Sequence, residues 1–117
     1  PPWLPGFLLP DSKGGGRIDL TGSGVRCLVR ELLAMHTEAK LSRLSELHCT
    51  SNELTRLDAV VCRSLGSLRV LCLSANQLRT LPAEIGCMAQ LTTLRVEGNR
   101  LTSLPWQLGE LRHLEQL

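Results

Sequence analysis

The hydrophobic positions of this chain recur with a fixed period. From residue 68 the frame Leu-x-x-Leu-x-Leu is followed by Asn, then by further apolar residues and Pro, and the whole pattern returns 23 positions later. The matched positions are Leu68, Leu71, Leu73, Asn76, Leu78, Leu81, Pro82, Ile85 and Met88, then Leu91, Leu94, Val96, Asn99, Leu101, Leu104, Pro105, Leu108 and Leu111. A fixed period of this length indicates a stack of equivalent structural units.

Two further copies precede these. The copy that begins at Leu44 lies 24 positions before Leu68 and carries Asn52 at the Asn position, whereas a weaker copy near Ile18 carries Ser23 there. We therefore expect a repeat domain over 17–117, with repeats at about 17–43, 44–67, 68–90 and 91–113 and the start of another at 114. Residues 1–16, rich in Pro and Gly, are expected to be a flexible leader.

Within each copy the spacing predicts a short strand followed by a helical segment. The alternation at 71–73 places Leu71 and Leu73 on the inner face and Cys72 on the outer face, and Leu94 is the inner residue of the next copy. Apolar residues between Val25 and Lys40 follow helical spacing. Pro82 and Pro105 should limit the later copies to short or 3₁₀ helical turns.

This pattern predicts an α/β solenoid, a curved right-handed coil with parallel strands on the concave face and helices or 3₁₀ turns on the convex face. A four-helix bundle is the alternative, but it does not explain Asn and Pro at matched places. Asn52, Asn76 and Asn99 should be buried, because a carboxamide both donates to and accepts from backbone groups left open at a turn.

The segments LRVLCLSANQL at 68–78 and LTTLRVEGNRL at 91–101 resemble the signature of the leucine-rich repeat family. Their continuations, LRTLPAEIGCMAQ and LTSLPWQLGELRH, resemble the intracellular Ras-suppressor and Ras-scaffold subclass. The resemblance implies a non-enzymatic protein-interaction module or scaffold in intracellular signalling that binds its partner on the concave face. Small GTPases, phosphatases and scaffold components are the candidate partners.

Composition and charge narrow the function classes. The 117 residues are 43% hydrophobic and 21% charged, as in one small globular domain. The 13 basic and 11 acidic residues are interspersed, which argues against nucleic acid as a partner. Apolar stretches are shorter than the ~18 residues of a transmembrane helix.

The cysteines bear on the compartment. The five are an odd set without a CxxC pair, which favours a reducing, cytoplasmic location. An extracellular recognition ectodomain is the alternative function. These cysteines are Cys27, Cys49, Cys62, Cys72 and Cys87.

Stacking the repeats aligns their outward residues in columns. The middle column is expected to read Asp19, His48, Cys72, Arg95, and beside it Thr21, Thr50, Ser74, Glu97. Acidic Asp19, Glu46 and Glu53 precede basic Arg69, Arg95 and Arg100, so the face should be polarised along the axis and attract an acidic protein patch. The expected partner-binding residues are His48, Thr50, Cys72, Ser74, Arg95, Glu97 and Arg100.

Catalysis is not expected. The order Asp19, His48, Cys72 suggests a triad and a thiol enzyme centred on Cys72, but an open sheet supplies neither a pocket nor an oxyanion hole. His48 and Arg95 could lower the pKa of the Cys72 thiol; an ordinary exposed cysteine is the alternative.

The remaining cysteines and the histidines are dispersed over different repeats and faces. Cys49 is expected to be buried and inert, and Cys27, Cys62 and Cys87 to lie on the rim or outer side. His36, His48 and His113 fall in different repeats, so we expect no metal site, and the absence of a phosphate loop argues against a nucleotide cofactor.

The C-terminal end is a further candidate contact surface. Leu111, Leu114 and Leu117 should face a following repeat, and an uncapped repeat end exposes apolar surface. We therefore expect self-association through this end.

Overall fold

A computed structural model describes residues 9–10, 16–33 and 41–114. Short strands alternate with short helical segments along this part of the chain. The elements are β1 (Leu9–Pro10), β2 (Gly16–Asp19), α1 (Leu28–Leu33), β3 (Leu44–His48), α2 (Ala59–Ser64), β4 (Val70–Cys72), the 3₁₀ helix η1 (Ala83–Cys87), β5 (Thr93–Arg95) and the 3₁₀ helix η2 (Trp106–Glu110).

The strands form one sheet in the order β1-β2-β3-β4-β5. β2 to β5 are parallel, and Ile18, Leu47, Leu71 and Leu94 follow one another in register. Parallel neighbours joined by a helical crossover are what a solenoid requires, so the predicted fold is confirmed.

One strand was not anticipated. Leu9 and Pro10 pair antiparallel with Arg17 and Gly16, inside the segment expected to be a flexible leader. The rest of that segment, residues 1–8 and 11–15, lies outside the described residues, so the division into leader and repeat domain stays a prediction.

The inward leucines form one continuous core between the sheet and the helical side. Leu44, Leu47, Leu68, Leu71 and Leu94 are each 0% exposed. Strand alternation explains Leu71 and Leu73, since every second side chain points to the same face. Leu44 and Leu68 lie three residues before Leu47 and Leu71 and do not follow this alternation. The assignment of Leu71, Leu73 and Leu94 to the inner face is confirmed.

On the convex side, the type of helix depends on whether a proline precedes it. α1 and α2 are α-helical, whereas in the later repeats Pro82 and Pro105 stand at the N-caps of η1 and η2 with extended backbones. The expected 3₁₀ turns are thus confirmed. Residues 34–40 of the expected first helix, His36 among them, lie outside the described residues. No helix in the described ranges is long and apolar enough to cross a membrane.

Candidate functional site: the concave strand face

The outward side chains of β2 to β5, together with those two residues beyond each strand end, stand in three columns, which we call the concave face. The middle column is confirmed, because Asp19, His48, Cys72 and Arg95 are aligned by strand register. The third column runs Thr21, Thr50, Ser74, Glu97. Its alignment is supported by backbone bonds from Ser51 N–H to the Ser74 carbonyl (3.0 Å) and from Ala75 N–H to the Glu97 carbonyl (2.9 Å).

Sequence reasoning missed most of the first column. Arg17, Glu46, Val70 and Thr93 are aligned by register, and of these only Glu46 was foreseen. Arg69 was expected to point outward, but it lies one residue before β4 and is half-buried, so Val70 holds the outward position. This column could have been found from the strand alternation, because Val70 lies two residues before Cys72 and therefore on the same face.

Acidic and basic side chains alternate in the N-terminal part of the face. Along the strands Arg17 lies 3.7 Å from Asp19, and His48 Nε2 lies 3.0 Å from Glu46 Oε1. Across the strands Arg17 is aligned with Glu46, and Asp19 with His48. Each carboxylate therefore has a basic group both along its strand and on the adjoining strand.

Hydrogen bonds add to the stabilisation of the acidic groups. The Thr21 side chain and the Thr21 N–H (2.9 Å to Oδ1) both bond Asp19 and lower the pKa of its carboxyl, with smaller contributions from His48 and Arg17. Glu53 is likewise 3.8 Å from Arg26. Arg17 and Arg26 therefore offset part of the acidic character expected for the N-terminal half of the face.

The centre of the face is apolar. Val70 and Cys72 on β4 are half-buried, and half-buried hydroxyl side chains of Thr50, Ser74 and Thr93 border them. An apolar centre with a polar and charged rim is the arrangement found at protein interfaces. The expected contact residues thus share one surface with Val70 and Thr93, two positions that sequence reasoning did not include.

The pKa of the Cys72 thiol is raised, chiefly by its partial burial. Arg95 lowers it, while the carboxylates of Glu97, Glu46 and Asp19 raise it further. Of the two alternatives for Cys72, the hypothesis that His48 and Arg95 lower its pKa is wrong, because desolvation outweighs Arg95. A raised thiol pKa lowers the fraction of reactive thiolate, which disfavours Cys72 as a nucleophile.

The other cysteines divide into buried and exposed. Cys49 is 0% exposed, as expected, and burial raises the pKa of its thiol to about 12. Cys62 was expected on the outer side, but its side chain points from α2 into the core, where burial raises its pKa to about 12. Cys27 and Cys87 are exposed, and all five thiols are free.

Asn52 and Asn76, which are buried as expected, and Asn99, which is only half-buried, join each repeat to the one before it. Asn76 Oδ1 accepts from the Leu54 N–H at 3.1 Å, and its Nδ2 donates to the carbonyls of Cys49, Leu73 and Ser74 at 2.9–3.1 Å. Asn52 and Asn99 repeat this arrangement. The expected role of these three residues is confirmed.

The C-terminal part of the face carries Arg95, Glu97 and Arg100, all exposed. The pKa of the Glu97 carboxyl is lowered by its own backbone N–H and by a side-chain bond from Ser74, with Arg95 contributing less. The described residues contain no cluster of His, Cys, Asp or Glu suited to a metal ion.

A family model for leucine-rich repeats matches residues 42–101. The chain belongs to the leucine-rich repeat family. This family typically serves protein–protein interaction, and the solenoid described above is its fold.

Two curated relatives show how much of a longer protein the chain resembles. It is 32% identical over 104 residues to plant intracellular Ras-group-related LRR protein 8 of Oryza sativa subsp. japonica, covering 86% of the chain and 25% of that protein. It is 36% identical over 103 residues to volume-regulated anion channel subunit LRRC8E of Homo sapiens, covering 86% of the chain and 12% of that protein. The chain thus spans a quarter or less of the length of these relatives.

Solved structures share the fold. A leucine-rich repeat protein of Leptospira interrogans matches with a TM-score of 0.61 at 34% identity, over 67% of this chain and 21% of that one. The BIR3–SERK2 complex of Arabidopsis thaliana matches with a TM-score of 0.74 at 23% identity, over 94% of this chain and 59% of the matched chain.

Proposed function

We propose that the chain is a non-enzymatic interaction module of intracellular signalling that binds a partner protein on its concave face. The observation that carries the proposal is the half-buried pair Val70 and Cys72 at the centre of an open sheet, bordered by hydroxyl groups and then by charges. Such a centre gains apolar contact on binding, while the rim favours the correct orientation.

The rigidity of this surface supports the proposal. β3, β4 and β5 are fixed by their ladder and by the asparagine bonds beneath them, so little ordering cost is added on binding. The face extends across four strands, which suits a folded protein surface or an extended segment better than a small molecule.

The relatives bear on the biological setting. The rice relative is named as an intracellular, Ras-group-related protein, which supports a signalling role with small GTPases, phosphatases or scaffold components as partner classes. Five free thiols agree with a reducing cytoplasm. An extracellular recognition module, the alternative left open by the sequence, is the second candidate.

A matched pair of substitutions tests the site. Val70→Asp places a charge in the apolar centre, and Val60→Asp makes the same change at an exposed residue of α2 on the convex side. Partners captured from cell extract with the wild-type chain would be identified by mass spectrometry and purified for binding measurements. We expect Val70→Asp to weaken binding at least about tenfold and Val60→Asp to leave it unchanged.

The outcome against the proposal is equal binding by both variants, each shown to be folded by circular dichroism. That result would move recognition to another surface. The compartment is tested separately by localising the tagged chain in cells, where a secretory location would favour the extracellular candidate.

A further inference from the structure

A second exposed surface adjoins the concave face at the asparagine turns. The segments that follow Asn52, Asn76 and Asn99 run side by side along one flank of the stack, which we call the Asn flank. Backbone bonds join them: Gln77 N–H to the Leu54 carbonyl and Arg100 N–H to the Leu78 carbonyl, both at 2.8 Å.

The pairing of charges on this flank differs between the first two repeats and the last two. In the first two repeats each arginine has a carboxylate partner, Arg26 with Glu53 at 3.8 Å and Arg56 with Asp58 at 3.0 Å. In the last two repeats the corresponding exposed side chains are Gln77 and the hydroxyl residues Thr80, Thr102 and Ser103, together with Arg79 and Arg100.

Arg79 and Arg100 are neighbours. The carbonyl that accepts the Arg100 N–H belongs to Leu78, the residue that directly precedes Arg79. Both arginines are exposed, and within the described ranges neither forms an ion pair. Two exposed arginines thus lie on adjoining repeats of a flank that also carries the exposed hydroxyl residues Thr80 and Thr102.

We propose that Arg79 and Arg100 form a recognition site for an acidic segment of the partner protein. Guanidinium groups bind carboxylates through two parallel hydrogen bonds, and the neighbouring hydroxyls of Thr80 and Thr102 offer further donors. The inference deepens the proposed function and rests on it, because Arg100 also borders the concave face: a partner seated there would extend its acidic segment around the Asn99 turn.

A protein segment fits this site better than a nucleic acid or a membrane does. Two arginines on adjoining repeats do not form the extended basic track that a phosphate backbone requires. Anionic membranes are recognised by clusters of about 4–8 basic residues.

The test uses a hexaglutamate peptide as the probe and hexaglutamine as its uncharged counterpart. Binding to the 117-residue chain would be followed by amide chemical shifts at low ionic strength. We expect hexaglutamate, and not hexaglutamine, to shift the amides of Arg79, Thr80, Arg100 and Thr102. The double variant Arg79→Glu/Arg100→Glu should weaken this binding about tenfold.

Arg30→Glu/Arg112→Glu is the matched control, since it reverses two exposed arginines away from the flank. Equal losses in both double variants would show a response to net charge alone and would overturn the site, as would shifts that map elsewhere. Binding to phosphatidylserine vesicles but not to hexaglutamate would show that the ligand of this site is a membrane and not a protein segment.

Failure of this inference and of the proposed function are distinguishable. Val70→Asp tests the concave face with the captured partner, whereas the hexaglutamate titration reports on the flank without that partner. If Val70→Asp abolishes partner binding and Arg79→Glu/Arg100→Glu leaves both partner and peptide binding intact, the concave face stands and the acidic-segment site is excluded.

Discussion

At the scale of single residues, burial decides what each cysteine does. Cys49 replaces a leucine of the strand frame and Cys62 occupies an inward position of α2, and both have a thiol pKa of about 12. The exposure of Cys72 is intermediate between that of this buried pair and that of the exposed Cys27 and Cys87. The same side chain therefore serves as core packing at two sites and as an accessible thiol at others.

Thiol labelling of the native chain should follow this order. We expect Cys27 and Cys87 to react first with a maleimide at pH 7 because they are exposed, Cys72 more slowly because its raised pKa limits the thiolate, and Cys49 and Cys62 only on unfolding. Mass spectrometry of peptides at successive times measures the order. Labelling of Cys72 ahead of Cys27 and Cys87 would contradict the raised pKa.

Buried thiols also predict alkaline unfolding. The folded pKa values of about 12 exceed the ordinary value of 9.0, so the folded state retains protons that the unfolded state loses, and stability falls as pH rises from about 9 to 12. Each thiol contributes up to about 1.4 kcal/mol per pH unit. Since the sequence holds no Tyr, few other groups titrate in this range.

Urea unfolding at pH 8, 9 and 10 measures this loss. The variant Cys49→Ala/Cys62→Ala should show a flatter pH dependence than the wild type, despite its lower stability at pH 8. The exposed pair Cys27→Ala/Cys87→Ala should keep the wild-type slope, and a slope unchanged in the buried variant would assign the alkaline transition to other groups.

At the scale of the repeat element, the asparagines couple neighbouring turns. Asn76→Ala removes four hydrogen bonds and leaves the buried Leu54 N–H without its acceptor, whereas the carbonyls of Cys49, Leu73 and Ser74 each keep one other donor. We expect a loss of about 1–3 kcal/mol in the free energy of unfolding, measured in urea. The exposed neighbour Gln77→Ala should change it by less than about 0.5 kcal/mol, and equal effects would refute the coupling role.

Sequence periodicity was sufficient to predict the secondary-structure elements but not the charges and pKa values of the candidate site. Leu71, Leu94 and Asn76 could be placed because each position has one requirement, burial or turn bonding, that recurs every repeat. The charge pattern of the concave face could not be predicted in this way, since it depends on which side chains approach one another in the fold. Arg17 was not identified as the partner of Asp19, nor Arg26 as the partner of Glu53. The Cys72 pKa likewise depends on local burial.

At the scale of the whole molecule, burial decreases toward the C-terminal end of the stack. Leu81 is 6% exposed, whereas its equivalent one repeat later, Leu104, is 47% exposed, and Trp106 is 75% exposed. Leu101, Leu108 and Leu114 are half-buried for the same reason, since within the described residues no further repeat packs on them. These side chains form an apolar end surface next to β5, the edge strand of the described sheet.

This end surface should make the 117-residue chain self-associate, because contact between two such ends removes Leu104 and Trp106 from water and offers pairing to the edge strand. We expect reversible dimers with a Kd on the order of 100 µM, equivalent to about −5.5 kcal/mol, in sedimentation velocity over a concentration series. Leu104→Lys/Trp106→Lys should keep the chain monomeric, whereas Val60→Lys on α2 should not. A wild-type chain that stays monomeric at millimolar concentration would show that this surface does not drive association, and dimers retained in the double variant would place the contact on another face.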